Sequence, residues 1–300
     1  MRFGIMAMQT GALLPAGLSP QEAMAHIASF DHAGHVRRVA AQGFNPIELG
    51  GDMILFFPNA FSPPVVERLA ALKTETGLSY TLHLPLWSVE PSTPLKPVRE
   101  GSVRAVVECI RATLPLAPEA YVLHATGALA AEFYRMRLPD LARSLILKQF
   151  QNGARESLKT ILAETGIRTR QLAIETIEFP FDLTLELADE LDLSICFDTG
   201  HVLVGFSGPV DLFDALERCL PRLGEVHLHD GPWQGPERRI GYGNDHQPLG
   251  KGDLDVARFL DRLLTAGFHG PLVFELQVEE ALASLDVIRS VRPNVLPSSP

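Results

Sequence analysis

Eight short apolar stretches alternate with longer amphipathic segments along the chain, and this alternation limits the possible folds more than any other feature. The apolar stretches lie at 3–8, 46–50, 80–86, 121–127, 172–178, 193–200, 225–230 and 272–277. The amphipathic segments lie at 20–41, 63–76, 98–115, 140–165, 182–191, 210–220, 253–266 and 279–291. Such an order is typical of parallel strands joined by helices, and eight repeats are the number found in a (β/α)8 barrel.

We therefore predict an α/β protein built as a single (β/α)8 TIM-barrel domain over residues 1–291, with a C-terminal tail over 292–300. A length of 300 residues is compatible with one barrel. The alternative is a doubly wound open sheet. We disfavour it because no G-x-G-x-x-G motif follows the first strand.

The composition limits the partners and the location of the protein. No apolar run approaches the roughly 20 residues of a membrane span, and the apolar start of the chain is too short for a signal peptide. The three cysteines form no C-x-x-C pair and are expected to be buried thiols. The net charge of −10 disfavours nucleic acid, since phosphate contacts need a basic face. We expect a soluble cytoplasmic protein that acts on a small molecule without a membrane partner, and its oligomeric state stays open.

Most of the predicted strands end on a residue type that binds metal ions. In chain order these residues are Glu48, His83, His124, Glu175, Asp198, His227, His229 and Glu275. His201 follows Asp198 in D-T-G-H, and Asn244, Asp245 and His246 lie on the loop after the seventh strand. Inward side chains at the carboxyl ends of neighbouring barrel strands converge, and several imidazoles beside several carboxylates form a ligand set for divalent ions.

For each of these residues, taken singly, an ordinary structural role is an alternative explanation. A single strand histidine is more often a hydrogen-bonded core residue than a ligand, and Glu48 is equally compatible with both roles. His229 is either a ligand or a support for the loop, whereas His26, His32 and His35 are expected on the surface of the first helix. Six successive strand ends with ligand-type residues nevertheless favour a metal site over separate structural roles.

These residues, in this order, resemble the xylose isomerase-like barrel superfamily (AP endonuclease family 2), and within it the endonuclease IV group. The resemblance implies a first metal ion held by His83 of H-L-P-L, His124 of V-L-H-A-T-G and Glu175 of A-I-E-T. Glu175 would bridge to a second ion held by Asp198, His227 and Glu275, and a third ion would take His201 and His246. The implied cofactors are two or three divalent ions, zinc first, with manganese or magnesium as alternatives.

Two positions depart from that pattern. Asn244 stands where the group has the first aspartate of D-x-H, so the third ion loses a carboxylate unless Asp245 replaces it. Lys251 stands where the G-x-G step usually carries an acidic residue. Both departures concern the third ion alone.

By resemblance, the expected activity is metal-dependent hydrolysis of a phosphodiester, with Glu175 and Glu275 as the catalytic residues. The acidic charge, the apolar segment 53–61 and the few basic loop residues beyond Arg238 and Arg239 favour a small or organic phosphodiester over duplex DNA. Relatives that open the nucleotide loop of cobamides are a precedent for such a substrate.

The alternative is a sugar or sugar phosphate isomerase or epimerase of the same superfamily, which holds one ion. By resemblance its ligands would be Glu175, Asp198, His227 and Glu275, with the two glutamates moving a proton. That chemistry does not need His83, His124 and His246, and Trp233 lies where an arginine would be wanted. A non-catalytic barrel that binds a metal or ligand is a third hypothesis.

Overall fold

Eight parallel strands close into a barrel in chain order, each pairing with the next and the last with the first. The computed structural model describes residues 1–8, 13, 17–233 and 243–296. The strands are β1 Arg2–Met6, β2 Ile47–Gly50, β3 Tyr80–His83, β4 Tyr121–Leu123, β5 Leu172–Glu175, β6 Ser194–Asp198, β7 Leu223–His227 and β8 Pro271–Phe274. The predicted TIM barrel is confirmed, although most strands end earlier than the apolar stretches because the following residues already form the loops.

Helices surround the barrel and follow the strands. Their bounds are α1 Pro20–Ala28, α2 His32–Ala40, α3 Met53–Phe56, α4 Pro63–Thr76, α5 Lys96–Thr113, α6 Ala128–Arg135, α7 Asp140–Thr165, α8 Phe181–Leu191, α9 Thr199–Leu203, α10 Leu212–Cys219, α11 Val256–Thr265 and α12 Val278–Val291. The helices predicted at 63–76 and 140–165 have those bounds. Both end at a glycine in the left-handed conformation, Gly77 and Gly166, which marks the end of a helix in the sequence.

The single helix expected over 20–41 is wrong, because this segment forms α1 and α2. Ser29 closes α1 as its C-terminal cap, and the side chain of Asp31 caps α2 by accepting a hydrogen bond from the Gly34 amide at 2.9 Å. An aspartate in this position starts a new helix, since its carboxylate satisfies an amide that the first turn leaves free.

The expected surface position of His32 and His35 on this segment is also wrong. His32 is 1% exposed and donates from Nδ1 to the Ala60 carbonyl at 2.9 Å, while Nε2 of His35 lies 2.9 Å from the Ala7 carbonyl. Burial lowers the pKa of His32 to about 4, so this imidazole is neutral at physiological pH. Both residues join α2 to loops at the carboxyl end of the barrel and lie outside the candidate metal ligands.

Side-chain alternation divides the barrel interior into two layers. Thr81, Val122, Ala173, Cys196 and Glu225 form the lower layer, each two residues before the end of its strand or the residue that follows it. Because alternate residues of a strand share a face, the residues two positions later form the upper layer at the carboxyl end of the barrel. All three cysteines are buried, as the sequence predicts.

In the described part of the chain, no helix is long and apolar enough to cross a membrane. Arg238 and Arg239 lie outside the described residues, as do the last four residues of the predicted tail. The domain boundary at 291 stays a prediction.

Candidate metal centre

All eight predicted ligands gather at the carboxyl end of the barrel. His83, Glu175, Asp198 and His227 are the last residues of β3, β5, β6 and β7, whereas His124 and Glu275 directly follow β4 and β8. The parallel register pairs Asp198 with His227 on the adjacent strand. His201 lies in α9, and His246 lies on the loop after β7.

The first cluster comprises His83, His124 and Glu175, whose candidate ligand atoms lie within 4.8 Å of one another. Nε2 of His83 and Nε2 of His124 lie 3.2 Å and 3.0 Å from Oε2 of Glu175. The opposite nitrogen of His83, Nδ1, donates to the Leu84 carbonyl at 2.9 Å and thus fixes the ring with Nε2 towards the cluster. Burial opposes the charged ring, but the hydrogen bond to Glu175 raises the pKa of His83 to about 9.

Glu175 is the residue around which the centre is arranged. Besides His83 and His124, its carboxylate lies 3.0 Å from Nδ1 of His201 and 3.6 Å from Nδ1 of His227. Burial alone would raise the pKa of Glu175, but the imidazoles of His124 and His227 hold that pKa well below its usual value. Glu175 is therefore a buried carboxylate that lies among four imidazoles.

The second cluster combines Glu175 with Asp198 and His227, whose ligand atoms again lie within 4.8 Å of one another. Nδ1 of His227 lies 3.7 Å from Oδ2 of Asp198 and 3.6 Å from Oε2 of Glu275. Oδ1 of Asp198 accepts the His201 amide at 2.7 Å, which caps α9 and leaves Oδ2 directed at the cluster. Burial opposes ionisation of Asp198, but the imidazoles of His201 and His229 lower its pKa.

The third cluster comprises His201, Asp245 and His246. Oδ2 of Asp245 lies 2.6 Å from Nδ1 of His246 and 3.6 Å from Nε2 of His201. The ligand atoms of these three residues lie within 4.8 Å of one another. Asp245 is 7% exposed, so its carboxylate is held inside the site beside His201 and His246.

Glu275 connects the second and third clusters. Its Oε2 lies 3.1 Å from Nε2 of His246 and 3.8 Å from Nε2 of His229. Burial opposes ionisation, but the charge of His227 and the hydrogen bond from His246 lower the pKa of Glu275 to about 2. Burial likewise opposes the cation on His246, but the hydrogen bond to Asp245 raises its pKa to about 10.

His229 belongs to the site as well, although the sequence left its role open. Its Nε2 lies 2.8 Å from Oδ2 of Asp198, and its Nδ1 donates to the carbonyl of Asp245. The ring therefore links Asp198 to the loop that carries the third cluster. A Cβ at Gly200 would clash with the His229 ring and the Asp245 carbonyl, which explains the glycine of the D-T-G-H motif.

Asp230 fastens the loop that carries Asp245 and His246. Its Oδ1 accepts the amides of Gly231 and Leu254 at 2.9 Å each, and its Oδ2 accepts the amide of Gly250 at 2.9 Å. Its main chain exchanges two further hydrogen bonds with Gln247, at 2.7 and 3.0 Å. Asp230 is fully buried, so its carboxylate fixes the position of the loop without touching the centre.

Below the centre lies a second acidic pair that sequence reasoning recognised only in part. Glu48 was considered, but Glu225 was missed, although it precedes His227 by two residues and therefore faces the same way. Both glutamates are fully buried, and their carboxylates lie within 4.8 Å of His227 nitrogen atoms. Burial and the neighbouring Glu48 raise the pKa of Glu225 well above its usual value.

The residues present fit divalent metal ions. Within the described residues, several buried polar atoms of the centre have no hydrogen-bond partner, among them Oε1 of Glu175, Nδ1 of His201 and Nδ1 of His227. Buried groups of this kind are normally satisfied, and imidazoles beside carboxylates are the donor set preferred by zinc and its neighbours. Because the pKa values of His83 and His246 are raised, an ion that binds to these rings must displace protons.

A cavity of about 360 Å³ opens above the clusters, and a second cavity of about 310 Å³ adjoins it. The two cavities share Leu86, Trp87, His124 and Ile177. Trp87 is 54% exposed and packs edge to face against Phe56 of α3, with 5.8 Å between the ring centroids. The apolar segment 53–61 therefore contributes an aromatic side chain to the rim of the cavity.

Comparisons with known proteins agree with this architecture. A model of the family described as xylose isomerase-like TIM barrel matches residues 36–291. Among curated proteins, the chain is 21% identical over 238 residues to an uncharacterised protein of Methanocaldococcus jannaschii. The matched region covers 76% of this chain and 75% of that protein.

Among solved structures, the chain is similar to a D-tagatose 3-epimerase-like protein, with a TM-score of 0.70, 18% identity and coverage of 99% of this chain and 100% of that one. It is also similar to 3-keto-D-glucoside 4-epimerase from E. coli, with a TM-score of 0.68, 17% identity and coverage of 97% of this chain and 99% of that one. For endonuclease IV from Thermus thermophilus the corresponding values are 0.65, 23%, 97% and 98%. At these identities the likeness is one of fold.

Proposed function

This chain belongs to the xylose isomerase-like TIM barrel family, and from that premise we propose that it is a metal-dependent phosphodiesterase that acts on organic phosphodiesters. One observation carries the proposal. Four imidazoles, those of His83, His124, His201 and His246, lie in the centre in addition to the four residues that a single-metal isomerase would use. Such a surplus of ligands supports a centre with more than one ion, as phosphodiester hydrolysis commonly requires.

Bound divalent ions would lower the pKa of water and neutralise the charge that develops on the phosphate oxygens. The residues that would hold these ions are His83, His124, Glu175, Asp198, His201, His227, Asp245, His246 and Glu275. Glu175 would contribute its carboxylate to both the first and the second cluster. Glu275 faces the cavity as an ionised carboxylate and would accept a proton at Oε2 from the attacking water.

The shape and polarity of the mouth support an organic substrate. Phe56 of α3 contacts Trp87, Ile54 and Leu55 of the same helix are exposed, and the chain carries a net charge of −10. A duplex nucleic acid would need a basic surface, whereas an aromatic or aliphatic group attached to the phosphate would bury these side chains.

The first test is hydrolysis of bis(4-nitrophenyl) phosphate by protein loaded with zinc or manganese. We expect turnover, and we expect His124→Ala to lower kcat/KM at least a hundredfold with a loss of bound metal, because His124 lies in the first cluster. His269→Ala is the matched control, since this histidine is exposed and precedes β8, so that it lies at the amino end of that strand and not at the carboxyl end, where the centre lies. Undiminished hydrolysis by the His124 variant would refute the proposal.

A second test addresses the substrate class. Methyl 4-nitrophenyl phosphate and the bis(4-nitrophenyl) ester share a leaving group and differ in the retained group. We expect Trp87→Ala to lower the preference for the aryl ester five- to tenfold, because an aromatic contact contributes about 1 kcal/mol. Leu264→Ala, at a similarly exposed position on α11, should leave the preference unchanged.

Sugar epimerisation at a single ion is the second candidate. It is favoured by the presence of Glu175, Asp198, His227 and Glu275 in one site, and the two epimerases named above have higher TM-scores than endonuclease IV. Its signature would be one ion per chain, interconversion of ketohexoses and activity that survives His124→Ala. A panel of ketoses assayed beside the phosphodiesters separates the two candidates.

A further inference from the structure

Glu48 of β2 lies below the candidate metal centre. Within the described residues, one of its carboxylate oxygens accepts a hydrogen bond and the other does not. Oε2 accepts the hydroxyl of Thr81 at 3.0 Å. Oε1 lies 3.4 Å from Nε2 of His227, and neither atom makes a hydrogen bond to any part of the chain that the structure describes. Both side chains are fully buried, so water does not reach them from the surface. Two unsatisfied buried atoms thus face each other across a short gap.

The opposite nitrogen of the same ring faces the candidate ligands. Nδ1 of His227 lies 3.6 Å from Glu175 and Glu275 and 3.7 Å from Asp198. An imidazole can present a lone pair to a metal ion from one nitrogen only, and the other nitrogen then carries the proton. Which nitrogen keeps the proton is decided by the hydrogen bond available to it.

We propose that Glu48 is a positioning residue for the metal centre: in the metal-loaded protein its Oε1, 3.4 Å from Nε2 of His227 in the structure, would accept the Nε2–H of that ring and so leave Nδ1 free to bind the ion. This inference rests on the metal centre of the proposed function. Thr81 has a supporting part, because its hydroxyl holds the other oxygen of Glu48 and thereby aims Oε1 at the ring.

Glu225 provides the comparison that makes the inference testable. It lies at the same depth, is fully buried and carries two oxygens that accept no hydrogen bond from the described residues. Its carboxylate is near His227, but of these two glutamates Glu48 is the one whose oxygen lies within 4.0 Å of a His227 nitrogen. Replacing the Glu225 carboxylate by an amide therefore changes the lower layer but keeps the Glu48 side chain and its hydrogen bond from Thr81.

The experiment compares Glu48→Gln, Thr81→Val, Glu225→Gln and the unchanged protein. Zinc affinity is measured by competition with a chromophoric chelator, and the visible spectrum of the cobalt-loaded protein reports the ligand field. We expect Glu48→Gln to weaken one ion roughly 10- to 100-fold and to alter the cobalt spectrum, since supporting carboxylates have effects of this size. Thr81→Val keeps both carboxylates and should weaken the same ion about 3- to 10-fold, whereas Glu225→Gln should stay within about threefold of the unchanged protein.

Several results would overturn the inference. Equal losses in Glu48→Gln and Glu225→Gln would mean that the total charge of the lower layer matters rather than the contact with His227. The loss of one whole ion in both variants would make Glu48 and Glu225 ligands of an ion of their own. If the unchanged protein binds ions and hydrolyses phosphodiesters while Glu48→Gln binds them equally well, the positioning role alone is refuted. If the unchanged protein binds no ion, the proposed function falls with it.

Discussion

Replacing Asp230 by asparagine should destabilise the protein far more than the same change at Asp253 on the same loop. The Asp230 carboxylate accepts three backbone amides at 2.9 Å inside the protein. An asparagine oxygen can keep the amides of Gly231 and Leu254, but its NH₂ group would then face the amide of Gly250, donor against donor. One hydrogen bond to a charged acceptor is lost, one buried N–H is left without a partner, and the remaining two bonds become weaker.

These losses add up to about 3 kcal/mol. With about 2.1 cal/mol/K of unfolding entropy per residue, the 300-residue chain should lose about 5 °C in Tm. Among the described residues, the carboxylate of Asp253 accepts one amide, that of Trp233 at 2.8 Å, and it is exposed. Asp253→Asn should therefore shift Tm by less than about 2 °C.

The assay is thermal unfolding followed by circular dichroism in the presence of a chelator, so that metal binding does not contribute. Equal Tm values for the two variants, within about 1 °C, would refute the argument that Asp230 fixes the loop through its carboxylate. A second measurement follows from the position of the loop: with zinc present, Asp230→Asn should also weaken the ion at Asp245 and His246.

Three further predictions concern the centre and a buried histidine. Glu175→Gln should abolish tight binding of at least two ions, measured by elemental analysis, and lower phosphodiesterase activity at least a hundredfold, because Glu175 contacts two of the clusters. Removal of metal should lower Tm and its return should restore it, since free ion at about 100 times Kd contributes about 2.7 kcal/mol per site. Burial lowers the pKa of His32 to about 4 in the folded protein against 6.5 unfolded, so the unfolded chain takes up the proton first as the pH falls. About 3 kcal/mol present above pH 6.5 should be lost by pH 4, and urea unfolding of His32→Phe should show a correspondingly flatter pH dependence.

Much of the architecture could be predicted from the sequence because barrel strands are short and apolar and the helices carry clear end signals. The glycines at 77 and 166 mark two helix ends that the structure reproduces. The interruption at Asp31 was missed because an aspartate within an amphipathic pattern is as compatible with a helix surface as with a cap. The short helices α3, α6 and α9 were missed because four to eight residues hold too little periodicity.

The candidate ligands could be predicted because residue type and strand position together determine which side chains converge. Hydrogen-bond direction could not. The sequence does not state which nitrogen of His227 faces Glu48, nor whether Asp245 replaces the missing carboxylate of the third cluster, since both depend on loop and ring orientation. Glu225 could have been found, because the same two-residue alternation that singles out His227 and His229 also includes it.

The shared position of Glu175 has a consequence for how the centre fills. Its carboxylate lies within 3.6 Å of four imidazoles. Ions that bind to these residues would therefore not bind independently of one another. If the centre holds more than one ion, the first would change the charge around this carboxylate and displace the proton of His83, and the next would meet a site that has lost this proton and is more positive. A calorimetric titration in buffers of different ionisation enthalpy should accordingly find unequal proton release per ion, with the largest release at the first step. Binding of one ion would then change the affinity of the centre for the next, so the ions would bind in a coupled way.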